Sequence, residues 1–216
     1  MASPEGVSQQ ELRPARLFPR ELAEAAEGIR GVLGILVSAA DSMNDHVREH
    51  SERVAELTVQ AGHRFGLSAA DLDDLYLLGI LHDVGKCGTD PAILSKPGAL
   101  APAELRQMQL HPAAGAELVA RIPTLAHLCE PIRHHHERVD GSGYPDGLGG
   151  EELDLHTHIL IVCDAYEAMT CARPYRPAMS VQRAADELIA CAGSQFHGEV
   201  VSALLESLSI RERAVA

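Results

Sequence analysis

Two short motifs hold many of the residues of this chain that could bind a metal ion. One is the run His134 to Glu137, three histidines and a glutamate, which leads into a segment with five glycines between residues 140 and 150. The other, about fifty residues upstream, places His82 beside Asp83. Neutral imidazoles and carboxylates are ligands for divalent transition metals, and a carboxylate can bridge two of them. The two motifs together predict a metal centre.

The same motifs closely resemble the signatures of the HD-GYP family, a branch of the HD-domain metal phosphohydrolases. The resemblance rests on His82-Asp83 with Lys86, and on His135-His136-Glu137 followed by the loop Asp140 to Pro145, which ends in Gly143-Tyr144-Pro145. It extends over residues 43 to 205, and the order and spacing of the motifs argue against chance agreement. Further matching positions are His50, His111, Asp164 and the segment Arg173-Pro174-Tyr175-Arg176.

The activity implied by this resemblance is metal-dependent hydrolysis of the bacterial second messenger cyclic di-GMP. The product would be the linear dinucleotide or GMP. Two alternatives remain open: hydrolysis of another cyclic dinucleotide, and a noncatalytic signalling module that binds cyclic di-GMP or a diguanylate cyclase. None of the family's metal-ligand positions is lost in this sequence, which favours the enzyme.

The resemblance also implies two divalent ions that share Asp83. One ion would take His50, His82, Asp83 and Asp164, and the other would take Asp83, His111, His135 and His136. His46 lies four residues before His50, where a glutamate of some family members binds a further ion, so a third ion is left open. The resemblance favours iron, with manganese as the alternative, because nitrogen and oxygen ligands alone do not choose the metal.

Asp164 supports a metal independently of any resemblance. It follows the apolar run Ile159 to Cys163, so its carboxylate is expected to be buried. An unpaired buried carboxylate costs several kcal/mol, and coordination to a metal would remove that cost.

The remaining motif residues are expected to act on the substrate. Lys86 could neutralise a phosphate or protonate the departing ribose oxygen. Arg173 and Arg176 could clamp a phosphate or stack on guanine, although Arg173 could instead cap the preceding helix. Gly143 and Tyr144 are expected to shape the loop and one wall of the pocket, since glycine tolerates a positive φ.

Other positions are not expected to be metal ligands. Glu167 stands where the family commonly has aspartate and is not expected to bind metal. His134 should point away from the ions. Surface positions are expected for His63, His127, His156 and His158.

Composition favours an all-α protein, and the resemblance implies that its fold is an HD-domain helical bundle with a glycine-rich loop. The chain has 216 residues, of which 46% are hydrophobic and only seven are aromatic. A core of small aliphatic residues is typical of closely packed helices. The net charge of −13 argues against a nucleic-acid polymer as partner. Five cysteines without a Cys-x-x-Cys pair, and no apolar run of membrane length, predict a soluble cytoplasmic protein.

The organisation predicted from the pattern is an N-terminal mobile arm (1–18), an N-terminal helix (19–42) and a catalytic domain (43–210). The helix carries Leu22, Ile29 and Leu36 at heptad spacing, which fits either packing on its own domain or a homodimer. Because residues 1–42 are too short for a sensor domain, regulation is expected from a separate protein, from the redox state of the metal or from expression. Helices are predicted at 44–65, 68–83, 102–109, 112–121, 124–136, 156–171, 180–192 and 197–208, with a short one at Pro91 and a loop over 140–150.

Overall fold

The computed structural model describes residues 45–172 and 177–210, and these form an all-helical bundle without a named β-strand. The predicted mobile arm, the N-terminal helix with its heptad stripe, and Arg173 and Arg176 lie outside the described residues. The α-helices in chain order are α1 (Asp45–Arg64), α2 (Ala69–Leu81), α3 (Pro91–Leu94), α4 (Pro102–Met108), α5 (His111–Val119), α6 (Cys129–His134), α7 (Leu155–Thr170), α8 (Val181–Ala190) and α9 (Gly198–Ser207).

The predicted helix boundaries around residue 66 are confirmed, and local chemistry explains them. Gly66 has a φ of +65° directly after α1, a conformation that glycine adopts without a Cβ penalty. Ser68 then caps α2, because its side chain accepts from the backbone N–H of Asp71 while the Asp71 carboxylate accepts from that of Ser68. Asp90 and Pro91 begin α3 in the same way, as predicted.

Helix α7 lies in the middle of the bundle and contacts α1, α2, α6, α8 and α9. Its run Thr157 to Cys163 is buried throughout, which fits a helix covered on several sides. Helices α1 and α2 approach so closely that a Cβ on Gly79 would lie 2.3 Å from the Cα of Ala55. The central helix and this tight pair provide a rigid frame for side chains that point inward.

Two predictions made from the sequence are wrong, one on the extent of a helix and one on the exposure of a histidine. The helix predicted over 124–136 is a 3₁₀ segment (Pro123–Leu128) followed by the short α6. Pro131 explains the break, because proline lacks the backbone N–H and its ring clashes with the carbonyl four residues earlier. His158, predicted to be at the surface, is 5% exposed, and its Nε2 lies 2.9 Å from the carbonyl oxygen of Gly150.

The predicted loop over 140–150 is confirmed up to a short 3₁₀ segment (Gly150–Glu152). Its two ends pair through an isolated antiparallel bridge between Asp140 and Gly149, and the Tyr144–Pro145 peptide is cis. Across residues 45–172 and 177–210, none of the helices has the length and apolar character needed to cross a membrane.

Candidate metal centre

The residues predicted to bind metal converge from five separate helical elements. His50 lies within α1, Asp164 within α7, and His111 is the first residue of α5. His82 and His135 follow the last residues of α2 and α6, so both lie at helix ends. The bundle brings together side chains that are more than a hundred residues apart in the chain.

Asp83 is 6% exposed and lies at the centre of the cluster. Its Oδ1 is 3.2 Å from Nε2 of His111 and 3.9 Å from Nε2 of His135. Its Oδ2 is 3.4 Å from Nε2 of His82 and 3.8 Å from Nε2 of His50. The two oxygens of one carboxylate therefore face two different groups of histidines.

The remaining predicted ligands extend these two groups. Oδ1 of Asp164 lies 3.3 Å from Nε2 of His50 and 4.0 Å from Nε2 of His82. The ring of His136 is centred 4.2 Å from that of His135 and 5.0 Å from that of His111. We call His50, His82 and Asp164 the carboxylate-rich half of the centre. We call His111, His135 and His136 the histidine-rich half, and Asp83 belongs to both.

The donor atoms of both groups are spaced for metal binding. One candidate atom from each of Asp83, His111, His135 and His136 lies within 4.8 Å of the others, and the same holds for His50, His82 and Asp83. The cluster is therefore able to bind metal.

The hydrogen bonds of three histidine rings indicate which of their nitrogen atoms can bind a cation. Nδ1 of three histidines donates to a backbone carbonyl three residues earlier: His82 to Gly79 at 2.9 Å, His111 to Met108 at 2.7 Å and His135 to Ile132 at 2.7 Å. A neutral imidazole with its proton on Nδ1 carries a lone pair on Nε2.

The Nε2 atoms of all three histidines point toward Asp83. Nε2 of His111 and Nε2 of His135 are 3.3 Å apart. Nε2 of His82 is buried and has no hydrogen-bond partner among the described residues. Buried polar atoms without partners are costly, and two divalent cations would satisfy these nitrogens, one at His82 and the other at His111 and His135.

His50 is oriented differently, and sequence reasoning missed its partner. Its Nδ1 contacts Oε2 of Glu167, and the other carboxylate oxygen of Glu167 lies 2.7 Å from both Nε and Nη2 of Arg53. Glu167 is 2% exposed. The available signal was its spacing from Asp164, because residues three apart on a helix share a face.

The pKa values differ sharply between the two halves. Burial alone would lower the pKa of His50, but contacts with Asp164 and Glu167 outweigh it and raise this pKa to about 9. In the histidine-rich half, burial lowers the pKa of His136 to about 4 and that of His135 well below its ordinary value. Burial opposes ionisation of Asp83, yet Lys86 and His82 hold its pKa well below the usual range.

Gly85 lets the Asp83 turn approach the start of α5. A Cβ on Gly85 would lie 2.0 Å from the carbonyl oxygen of His111 and 2.5 Å from the backbone nitrogen of Gly115. Both atoms belong to the backbone and cannot rotate away. The glycine of the His-Asp-x-Gly-Lys motif therefore keeps Asp83 and His111 in contact.

At Gly143, as at Gly85, the missing Cβ allows two backbone segments to approach closely. The expectation that Gly143 has a positive φ is therefore wrong. Positive φ values in the loop are found at Gly141 and Gly147. A Cβ on Gly143 would lie 2.4 Å from the Cα of Glu137. This contact holds the loop against the end of the histidine run, where the ring of Tyr144 stacks on that of His136 at 4.9 Å and 28°.

Arg133 and His134 of α6, and Glu137 a few residues later, also hold the loop in place. Arg133 donates two hydrogen bonds to the Asp146 carboxylate, at 2.7 and 2.9 Å, and Nε2 of His134 lies 3.0 Å from the same carboxylate. Oε1 of Glu137 accepts from the backbone N–H groups of Asp146 and Gly147. His134 thus binds the loop, in accord with the expectation that it points away from the ligands.

A cavity of about 270 Å³ lies beside the cluster. Its wall includes His136 and Asp164 from the cluster, Ser142 and Tyr144 from the loop, and Gln195 from the segment before α9. A ligand in this cavity would contact residues of both halves and the loop.

The structure describes the surroundings of some of the histidines outside the metal centre. His46 lies in the first turn of α1, and its side chain is outside what the structure describes. His63 and His127 are exposed as predicted, with His127 paired to Asp74 at 2.9 Å. His156 is a partly exposed residue 3.8 Å from Asp71.

Comparison with known proteins identifies the class to which this fold and site belong. The family model described as "HD domain" matches residues 35–200. The chain belongs to the HD domain family.

The relatives confirm the resemblance to the HD-GYP branch. The chain is similar to 3'3'-cGAMP-specific phosphodiesterase 1 of Vibrio cholerae, with 37% identity over 155 residues that make up 72% of this chain and 36% of that protein. It is also similar to the cyclic di-GMP phosphodiesterase response regulator RpfG of Xanthomonas campestris pv. campestris, with 33% identity over 208 residues that make up 93% of this chain and 54% of that protein. The chain thus spans between a third and about half of these two relatives.

A solved structure has the same fold. It is Bd1817, a HDG"Y"P protein from Bdellovibrio bacteriovorus, with a TM-score of 0.60 and 19% identity, covering 75% of this chain and 52% of that one. The predicted all-α HD fold is confirmed.

Proposed function

We propose that this chain is a metal-dependent phosphodiesterase that hydrolyses cyclic di-GMP to the linear dinucleotide or to GMP. The observation that carries the proposal is the position of Asp83, whose two oxygens face the two halves of the centre. A carboxylate placed in this way is suited to bridge two ions that act on one phosphodiester. The names of the relatives supply the substrate class.

The proposed ligand set is the one implied by the motifs. Asp83 would be shared by two ions, one held also by His50, His82 and Asp164 and the other by His111, His135 and His136. Iron is our first choice of metal and manganese the second, and a third ion stays an alternative because His46 stands four residues before His50 in the sequence. When bound, such ions supply positive charge to phosphate oxygens and lower the pKa of a nearby water molecule.

Lys86 is the candidate catalytic residue that is not a ligand. Hydrolysis adds water across one phosphorus–oxygen bond, so a proton must reach the departing ribose oxygen. Nζ of Lys86 lies 2.5 Å from Oδ2 of Asp83, and its side chain is 27% exposed. An ammonium group at this position can either neutralise the phosphate or donate that proton.

Substrate contacts are proposed along the cavity. Tyr144 stacks on His136 and offers an aromatic surface beside the phosphate position. Gly143 brings the loop backbone to the same wall. Arg173 and Arg176 follow the helix that carries Asp164, and guanidinium groups suit a second phosphate or a guanine face.

A second candidate substrate is 3'3'-cGAMP, which differs from cyclic di-GMP in one base. The observation that favours it is the 37% identity to a Vibrio cholerae protein named as specific for that dinucleotide. Both substrates have the same phosphodiester ring, so the metal centre alone does not distinguish them.

The test is a substrate panel. Protein purified without oxygen and loaded with Fe²⁺ or Mn²⁺ is incubated with cyclic di-GMP, 3'3'-cGAMP and cyclic di-AMP, and the products are separated by chromatography. We expect the linear product from cyclic di-GMP at the highest rate. A higher rate with 3'3'-cGAMP would select the second candidate, and no hydrolysis of any of the three would refute the proposal.

A further inference from the structure

His50 differs from the other oriented histidines of the centre in its position on a helix. His82, His111 and His135 lie at helix ends, and their Nδ1 atoms bond the carbonyls of Gly79, Met108 and Ile132. Those carbonyls belong to the last turns of α2, α4 and α6, where helix carbonyls lack partners within the helix.

No such carbonyl is available to His50. It is the sixth residue of α1, and the helix continues for fourteen residues beyond it. The carbonyls three and four residues earlier are positioned to accept from the backbone N–H groups of the next turn. The ring of His50 therefore needs a partner from another element, and Glu167 of α7, 117 residues away in sequence, is that partner.

Glu167 is itself held in a fixed orientation. One of its oxygens contacts His50, and the other lies 2.7 Å from two nitrogens of Arg53, which is one turn after His50 on α1. Each oxygen of this buried carboxylate thus has its own partner. Arg53 is 41% exposed, which places the charged end of the network at the surface.

We propose that Glu167 is a positioning residue that holds His50 with its proton on Nδ1 and Nε2 directed at the carboxylate-rich half. This inference rests on the proposed metal centre. A carboxylate is a stronger acceptor than a backbone carbonyl, so it makes the opposite nitrogen of the ring a more basic ligand. It also differs from the three carbonyl contacts because it comes from a side chain and can be removed by substitution.

The experiment is a Co²⁺ titration of chelator-treated protein, followed by visible absorption and by competition with a chelator of known affinity. Wild-type protein should bind two ions. In Glu167→Gln, one binding step should weaken by roughly tenfold to a hundredfold while the other stays unchanged. Glu167→Asp restores a carboxylate on a shorter side chain and should recover part of the lost affinity.

Glu56→Gln is the matched control, because Glu56 lies one turn after Arg53 on α1 and lines a cavity with Glu167 but is exposed. It should bind both ions as the wild type does. If the glutamine variant does not fold, Glu167→Asp and Arg53→Gln carry the test, and each should weaken one step only.

The possible outcomes distinguish failure of the positioning role of Glu167 from failure of the proposed metal centre. Two ions bound by the wild type and equally tightly by every Glu167 and Arg53 variant would overturn the positioning role alone. Equal weakening of both steps would also overturn it. Failure of the wild type to bind Co²⁺ would overturn the metal centre itself.

Discussion

The two halves of the centre share Asp83 but differ in charge. The carboxylate-rich half adds Asp164 to two histidines and has Glu167 behind one of them, whereas the histidine-rich half adds only histidines. The same side-chain type responds in opposite ways, since the pKa of His50 is raised to about 9 and that of His136 is lowered to about 4.

This difference shows that burial does not decide the state of a histidine by itself. Burial lowers the pKa of His50 as well as that of His135, but at His50 the neighbouring carboxylates reverse the result. The carboxylates of the carboxylate-rich half therefore favour a positive charge there, while burial keeps His135 and His136 neutral and able to bind a metal. We expect the two halves to bind ions with different affinities.

The largest effect should come from the residue that the halves share. In Asp83→Asn, hydrolysis should fall by roughly a thousandfold or more, about 4 kcal/mol of transition-state stabilisation, because an amide cannot bridge two cations. Turnover and elemental analysis on the same sample measure this. Asp73→Asn, on α2, is the control and should behave as wild type. An Asp83→Asn protein that keeps most of its activity would show that the halves work separately.

Removing a ligand from one half should sharpen the comparison. Asp164→Asn should weaken binding of one ion by at least roughly a hundredfold, since loss of an outer contact alone costs a metal site tenfold to a hundredfold. Binding of the other ion should be retained. Calorimetric titration with Mn²⁺ measures both steps, and equal loss in both would contradict the division into two halves.

Residues outside both halves should affect the substrate and not the metal. Replacing Arg173 and Arg176 with alanine should slow cyclic di-GMP turnover by roughly tenfold or more for each true contact, because a charge-assisted hydrogen bond is worth about 1.5 to 3 kcal/mol. Bis-p-nitrophenyl phosphate lacks the second phosphate and the guanines, so its hydrolysis should decline much less. Equal decline of both substrates, or loss of metal, would make these arginines structural.

The smallest effect should come from the loop. In Asp146→Asn, KM for the cyclic dinucleotide should rise by up to roughly fivefold, because the Arg133 pair is partly exposed and such pairs contribute at most about 1 kcal/mol. Metal content should stay unchanged, since the loop meets the centre at His136, through its ring and its backbone carbonyl, and Asp146 contacts neither. Steady-state kinetics with metal analysis checks both points, and a lost ion would show that the loop supports the ligands themselves.

The sequence predicted the elements that depend on local pattern. Helix caps at Ser68 and Asp90, the end of α1 two residues before Gly66 and the glycine-rich loop all follow from residues adjacent in the chain. The resemblance in motifs also implied two ligand sets joined by Asp83, one with His82 and the other with His111, and the structure brings these three residues together.

What the sequence did not predict depends on packing between distant elements. Glu167 was set aside as a nonligand, and its contact with His50 exists only because α1 and α7 lie side by side. The burial of His158 likewise involves other elements, since its Nε2 lies 2.9 Å from the carbonyl oxygen of Gly150 and its ring is centred 4.7 Å from that of His197. The break before α6 had a local signal in Pro131, which the predicted helix over 124–136 left out of account.

The most direct test of the two-ion centre is a titration of chelator-treated protein with Mn²⁺ while cyclic di-GMP hydrolysis is followed. If Asp83 joins two ions that act together, hydrolysis should stay low up to one equivalent and rise between one and two equivalents per chain. Full activity at one equivalent, or in protein without metal, would contradict the account.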